Sequence, residues 1–152
     1  MNVRMSDLSR RRILRGAGVA LAAGAVAGCA GGGGGDADSI DGYLSGANNY
    51  DGTVVDMTGE SEVTVAVGAG NGLAFDPAAV RVDAGTTVAW EWTGRGGRHN
   101  VVSGEESASE FESNLAREAG TTFRRTFESG PQLYLCNPHR AQGMYGAVAI
   151  AE

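Results

Sequence analysis

Short runs in which apolar and polar residues alternate follow one another from residue 51 to the end of the chain. In residues 62–67 the three valines fall on one face, and in residues 86–92 one valine and two tryptophans do so. Alternation with a period of two is typical of half-buried β-strands. Other strand-like runs are residues 53–57, 80–82, 99–102, 121–127, 132–136 and 147–150. About seven or eight short strands, with almost no long helical period, predict an all-β fold: an antiparallel β-sandwich with Greek-key connections.

Two stretches within this pattern lack a strong strand signal. Residues 93–97 (TGRGG) read as a flexible loop before His99. Residues 104–120 contain five glutamates, so we expect a surface excursion there.

The first 28 residues have a different pattern, a charged stretch followed by a weakly apolar one. Residues 9–15 read SRRRILR, and the following 13 residues, 16–28, are small or apolar. A helix that crosses a bilayer of about 30 Å needs about 20 residues, so this run is too short to span it. It has the length of a signal-peptide core, and the paired arginines resemble a twin-arginine export signal. We assign residues 1–28 to a signal peptide.

The residues around Cys29 predict a lipid anchor. The sequence VAGC at positions 26–29 resembles a lipobox, in which cleavage leaves the cysteine as a lipid-modified N-terminus. Acyl chains there would hold the protein at the outer face of the cell membrane without a spanning helix. The alternative is an ordinary secretory signal with an incidental cysteine.

Residues 29–50 join this anchor to the main domain, which we place at residues 51–152. Five consecutive glycines at 31–35 predict a flexible tether, disordered or weakly helical. In the polar lead-in that follows, Ile40, Tyr43 and Leu44 have the spacing of one or two helical turns. They either dock onto the domain or belong to the tether.

Charge excludes one class of partner. The 152-residue chain has a formal net charge of −6, and all 12 of its basic residues are arginine. An acidic chain without lysine lacks the basic footprint of a nucleic-acid-binding protein. High negative charge keeps proteins dispersed and is a device of halophiles, so we expect a high-salt habitat. No feature indicates oligomerisation, and we expect a monomer.

Candidate chemistry is concentrated near the C-terminus. Cys136, His139 and Met144 form the pattern C-x2-H-x4-M, and His99 lies 37 residues upstream of the cysteine. The chain has only two histidines and two cysteines, so this constellation uses the whole histidine supply. One thiolate, two imidazoles and one thioether are the ligand set of a blue-copper electron-transfer site. One loop between two strands can supply three of these four groups, and a neighbouring strand supplies His99.

The same residues also fit less specific roles. A structural zinc site needs four Cys or His ligands, and methionine is not among its usual ligands. A Cys29–Cys136 disulfide is conceivable, but two cysteines do not make a disulfide framework. Taken singly, the cysteine and methionine could be core residues and each histidine a satisfied polar group.

These residues and the strands around them resemble those of the halocyanins, small blue copper proteins of halophilic archaea that have the cupredoxin fold. The resemblance covers roughly residues 40–152, and the cysteine loop is its most specific part. It rests on YLSGANNYDG (43–52), GLAFDP (72–77) with VRV (80–82), TVAWEW (87–92), HNVV (99–102) and YLCNPH (134–139) through Met144.

The resemblance implies the roles of the site residues. His99, Cys136 and His139 would be the equatorial copper ligands and Met144 the axial one. Asn100 would order the site by hydrogen bonding. Asn137 stands where plastocyanin-like relatives more often carry Ser or Thr, which leaves the partner of Asn100 open.

The resemblance also implies a function. The protein would carry single electrons between membrane-bound redox complexes and turn over no substrate. It would dock near His139, with Ala141, Met144 and Tyr145 as candidates for an apolar rim; the alternative is that these three residues only pack the loop. A copper oxidase or reductase domain is one alternative, although a second copper site needs further histidines. A copper-transfer protein is the other, although its ligands would lie on open loops or in Met-rich runs.

Overall fold

The computed structural model describes residues 34–151. The signal peptide predicted for residues 1–28 and the lipidation site predicted at Cys29 lie outside this range. Among the described residues, no helix combines the length and the apolar character needed to cross a membrane.

The described chain contains one α-helix, nine short strands and one 3₁₀ helix. The α-helix, α1, is Gly34–Tyr43, and the 3₁₀ helix, η1, is Asn137–Gln142. The strands are β1 Val55–Asp56, β2 Glu62–Ala69, β3 Ala74–Asp76, β4 Ala79–Asp83, β5 Thr87–Trp92, β6 Val102–Ser103, β7 Thr122–Thr126, β8 Gln132–Leu135 and β9 Tyr145–Ala151.

The strands form two sheets, which confirms the predicted β-sandwich. One sheet has the order β1-β4-β9-β8-β6, and the other has the order β3-β2-β5-β7. The sheets are mixed, because β1 with β4, β2 with β5 and β4 with β9 pair in parallel. Three strand pairs are therefore parallel where the sequence predicted an antiparallel sandwich, and the other four are antiparallel as expected. Alternation of apolar residues reports which face of a strand is buried and says nothing about the direction of the neighbouring strand.

Between the sheets lies a core that the alternating pattern predicted. The valines of β2 at positions 63, 65 and 67 are buried, as are Val88, Trp90 and Trp92 of β5. Trp90 is the centre of an aromatic cluster, with ring centroids 5.2–6.3 Å from its neighbours. These neighbours are Phe111, Phe123, Phe127 and Tyr134.

Three local predictions differ from the structure. Strand β3 was not predicted, because three residues are too few to show a period, although its Phe75 is fully buried. The strand expected at 99–102 is shorter, and His99 instead forms an isolated bridge with Ala116. Residues 104–120 were expected to lie on the surface, but Phe111 in this segment is buried in the core.

The lead-in docks on the sandwich, which decides between the two alternatives. Ile40 and Leu44 are fully buried in a second apolar cluster, with Tyr43 packed against it. The cluster uses residues of β4, β8 and β9 that alternate with core residues, so it lies on the other face of the five-stranded sheet. Its buried sheet members are Ala79, Leu133, Ala147 and Ala149.

Replacing Leu44 with alanine tests whether this docking stabilises the fold. Removing a fully buried leucine side chain leaves a cavity, so we expect Leu44→Ala to lower the free energy of unfolding by about 2–4 kcal/mol. Chemical denaturation followed by tryptophan fluorescence measures it. Val55→Ala is the control, because Val55 is 37% exposed and should cost less than about 1 kcal/mol. Equal losses for the two variants would show that the lead-in adds no stability.

Candidate metal centre

The predicted cysteine loop connects β8 to β9 and turns back on itself. Cys136 directly follows β8, η1 carries His139, and Gly143 ends η1 in the left-handed region with φ 90°. Pro138 lies in the first turn of η1, where its missing N–H costs nothing. The Cys136 N–H donates to the Met144 carbonyl at 3.0 Å and closes the loop.

Two imidazoles converge on one sulfur atom. The Nδ1 atom of His99 lies 3.6 Å from the Cys136 Sγ, and the Nδ1 atom of His139 lies 3.5 Å from it. All three ligand atoms lie within 4.8 Å of one another. A metal that binds nitrogen at about 2.0 Å and sulfur at about 2.3 Å, at a near-tetrahedral angle, separates these atoms by about 3.5 Å. The three side chains therefore fit around a single metal ion.

A hydrogen bond orients His99. Its Nε2 lies 2.6 Å from the carbonyl oxygen of Arg95, so Nε2 carries the proton and donates it to this oxygen. The lone pair is then on Nδ1, which faces the sulfur. Burial lowers the pKa of His99, the hydrogen bond to Arg95 raises it, and the nearby His139 lowers it, with a net lowering. The neutral imidazole that a metal requires is thus favoured.

The thiol of Cys136 is buried, so its ionised form, the thiolate, needs a cation nearby to be stable. Burial raises its pKa, and the backbone N–H groups of Asn100 and His139 offset only part of this rise. A bare thiolate is disfavoured at this position. A bound metal ion supplies the positive charge that stabilises the thiolate, so binding and loss of the thiol proton are coupled.

Asn100 bridges the two segments that form the site. Its Oδ1 accepts a hydrogen bond of 2.9 Å from the backbone N–H of Asn137. Because the donor belongs to the main chain, the identity of the residue at position 137 does not affect this bond. The question that Asn137 raised in the sequence is answered in this way.

Met144 lies beside the ligands but is not at the surface. It is fully buried, and its N–H lies 3.3 Å from the His139 carbonyl oxygen. The expectation that Met144 contributes to an exposed rim is therefore wrong, because Met144 is buried in the core cluster with residues of both sheets. Ala141 is exposed and Tyr145 is half-buried, so both remain available for such a rim.

A comparison with protein families decides the class. The model of copper-binding proteins of the plastocyanin/azurin family matches residues 61–151. The chain belongs to this family. It is a cupredoxin that binds one copper ion, and its broad function is that of a blue copper electron carrier.

Individual relatives agree. The chain is 52% identical to a halocyanin of Natronomonas pharaonis over 162 aligned positions, which cover 96% of this chain and 99% of that protein. It is 32% identical to a plastocyanin of Scenedesmus fuscus over 98 residues, 59% of this chain and 99% of the other. A copper-containing nitrite reductase of Thermus scotoductus SA-01 superposes with a TM-score of 0.50 at 28% identity. That match covers 60% of this chain but only 22% of the enzyme.

The lead-in holds the cupredoxin's copper loop, which the sequence did not predict. The Asn48 side-chain amide donates to the carbonyls of Leu73 and Gln142, each at 2.8 Å. Its backbone N–H donates to the Gly143 carbonyl at 2.8 Å. The partner Gln142 is 94 residues away in the sequence, and nothing in a polar pair of asparagines indicates such a contact.

A glycine in β2 leaves space for His99, and the sequence did not predict this role either. Gly68 has φ +91° and lies in a β-bulge between Val67 and Ala69. A methyl group at Gly68 would lie 2.7 Å from the Arg95 carbonyl oxygen and 3.1 Å from the His99 Nε2. The bulge therefore leaves space for the hydrogen bond that orients His99.

Replacing Gly68 with alanine tests this bond. The methyl group would displace the Arg95 carbonyl and turn His99, so we expect Gly68→Ala to weaken copper binding by about 10–100-fold. Titration against a competing chelator measures this affinity. Gly59→Ala is a matched control, with φ +92° and no atom within 4 Å of the added methyl. The role assigned to the bulge is wrong if both variants bind copper equally well.

Proposed function

We propose that His99, Cys136, His139 and Met144 hold one copper ion and that the protein passes single electrons between membrane-bound redox complexes. The observation that carries this proposal is the meeting of two imidazole Nδ1 atoms, at 3.5 and 3.6 Å, on the sulfur of a buried cysteine. Membership of the copper-binding family identifies the metal as copper. The proposed ligands, one thiolate, two imidazoles and one thioether, are groups that bind copper.

The side chains suit both charge states of copper. Bound copper supplies the exchange of one electron between Cu(I) and Cu(II). Sulfur ligands favour Cu(I), and imidazole binds both Cu(I) and Cu(II). These four side chains can therefore bind copper in either charge state. Hydrogen bonds to the Arg95 carbonyl oxygen and to the Asn100 Oδ1 hold the two segments in place. Ligands held by the fold need to move little when the charge changes.

Exposure identifies the ligand through which electrons enter and leave. His99, Cys136 and Met144 are fully buried, whereas His139 is half-buried. The imidazole edge of His139 is therefore the part of the site nearest to a partner. We propose that partners dock around it, with Ala141 and Tyr145 at the periphery.

The protein carries out no substrate turnover under this proposal. The likeness to the nitrite reductase covers less than a quarter of that enzyme and does not bring its reaction to this chain. A second copper centre would need further histidines, and both histidines of this chain already face Cys136. The buried ligands also argue against a copper-transfer protein, since transfer requires ligands that another protein can reach.

Serine at position 136 tests the ligand assignment. Without the thiolate, the intense visible band of the copper-loaded protein, which its class implies near 600 nm, should disappear in Cys136→Ser. The fold should remain, because serine fills nearly the same volume. Absorption and circular dichroism spectra measure the two effects. Cys29→Ser is the matched control and should keep the band, while an intense band in Cys136→Ser would refute the assignment.

We propose further that Cys29 carries a lipid that holds the protein at the outer face of the cell membrane. The signal-like residues 1–28 and the VAGC sequence support this localisation. An anchored carrier searches only the membrane surface, which raises its effective concentration near membrane-bound partners.

The same two variants also test the lipid anchor, with Cys29→Ser as the test and Cys136→Ser as the control. In the expressing cell, Cys29→Ser should move to the soluble fraction, because a serine cannot take the thioether-linked lipid. Cys136→Ser should stay with the membranes. Cell fractionation and the intact mass of the mature protein measure this. A mature mass that lacks acyl chains, or a Cys29→Ser protein that stays on the membrane, would contradict the lipid anchor.

A further inference from the structure

The loops around the metal centre carry a charge opposite to that of the rest of the molecule. We call these loops the copper end: residues 70–73, 93–101, 113–121 and 137–143. They lie together because the parallel strands β2 and β5 both end there and β7, antiparallel to β5, begins there. Direct contacts agree, since the His99 N–H donates to the Ala116 carbonyl at 2.8 Å.

Four exposed arginines lie in the copper end. The copper end contains one acidic residue, Glu118, so the formal charge of these loops is +3. The other described residues contain three arginines and 15 carboxylates, a formal charge of −12. The copper end is therefore basic, whereas the other described residues are together strongly acidic. Its arginines are Arg95, Arg98, Arg117 and Arg140.

Each arginine is next to a group that forms the site. Arg98 precedes His99, and Arg140 follows His139. Arg117 follows Ala116, whose backbone forms two hydrogen bonds with that of His99. The ion pair seen within residues 34–151 joins Arg124 to Glu62, and none of the four copper-end arginines pairs with a carboxylate in that range. Their guanidinium groups are available to a partner.

Apolar surface accompanies these charges. Leu115 is 47% exposed, which is unusual among the large hydrophobic residues of the described chain. Pro138 and Ala141 on either side of His139 are exposed as well. Arginine is enriched at protein interfaces, and the core of an interface is more apolar than its rim.

We propose that the copper end docks on an acidic protein surface of the redox partner, which rests on the electron-carrier function proposed above. Guanidinium groups form bidentate hydrogen bonds with carboxylates, so the four arginines would pair with aspartates and glutamates. Leu115 and Pro138 would exclude water between His139 and the partner.

Binding of an acidic peptide tests the surface without relying on electron transfer. Hexa-aspartate is titrated at low ionic strength into the reduced, copper-loaded protein, and chemical shifts are followed by NMR. We expect shifts concentrated in the copper end. Arg117→Glu and Arg140→Glu should each weaken binding by about fivefold or more. Arg81→Glu on β4 is the matched control, with the same change of charge on an exposed arginine outside the copper end, and should change binding less than about twofold.

Oxidation by two small complexes gives a second measure. Ferricyanide and tris(phenanthroline)cobalt(III) each remove one electron from the reduced protein and carry opposite charges. Arg117→Glu and Arg140→Glu should slow oxidation by the anion and speed oxidation by the cation, in stopped-flow records of the visible band. Arg81→Glu should alter both rates only slightly.

Two outcomes would overturn the inference. Equal effects of all three substitutions would show that only net charge matters. Binding to phosphatidylglycerol vesicles that depends on Arg117 and Arg140, without binding to hexa-aspartate, would assign the surface to anionic lipid. Failure of the proposed function is distinguishable, because it would show as a wild-type protein whose visible band never bleaches and returns.

Discussion

The metal centre depends on one meeting of side chains, in which two imidazole nitrogens face the sulfur of Cys136. The cysteine and His139 come from a single loop, but His99 comes from a segment 37 residues earlier and belongs to a different part of the sandwich. Neither segment can hold this arrangement alone. The two sheets must first pack through the Trp90 core, which brings the ends of β5 and β8 to the same end of the molecule. Burial also raises the pKa of the Cys136 thiol, so binding of a metal ion is coupled to loss of the thiol proton.

The sequence was sufficient for the elements whose signal is local. Alternating valines and tryptophans predicted β2, β5 and the core between the sheets. Of the four candidate ligands, the fold brings the donor atoms of His99, Cys136 and His139 within 4.8 Å of one another. The sequence was not sufficient where the determinant is a neighbour distant in the sequence. The parallel pairing of β2 with β5, the place of Phe111 in the core and the inward turn of Met144 all depend on such neighbours. The roles of the copper ligands remain a prediction that the geometry supports.

The residues that the sequence did not predict share one property, which is that each of their contacts involves a main-chain carbonyl group. Arg95 orients His99 with its carbonyl oxygen, and Gly68 matters because it has no side chain. Asn48 holds the copper loop by bonds to carbonyl groups. Residue type carries little information about such roles, since any residue has a carbonyl. The lead-in illustrates the consequence, because Ile40 and Leu44 predicted that it could dock, but only the fold shows that it also restrains the loop that carries His139.

A carrier of single electrons has to meet two opposed requirements. Its ligands must be dry and fixed so that a change of charge moves few atoms, yet one of them must come close to a partner. This chain separates the requirements by position, with His99, Cys136 and Met144 fully buried and His139 half-buried on a loop restrained from two sides. The restraints come from Asn100 at the start of the loop and Asn48 at its end. Under the docking proposed above, a partner that pairs with the exposed arginines would contact the surface around His139 and would leave the buried side chains of His99 and Cys136 in place.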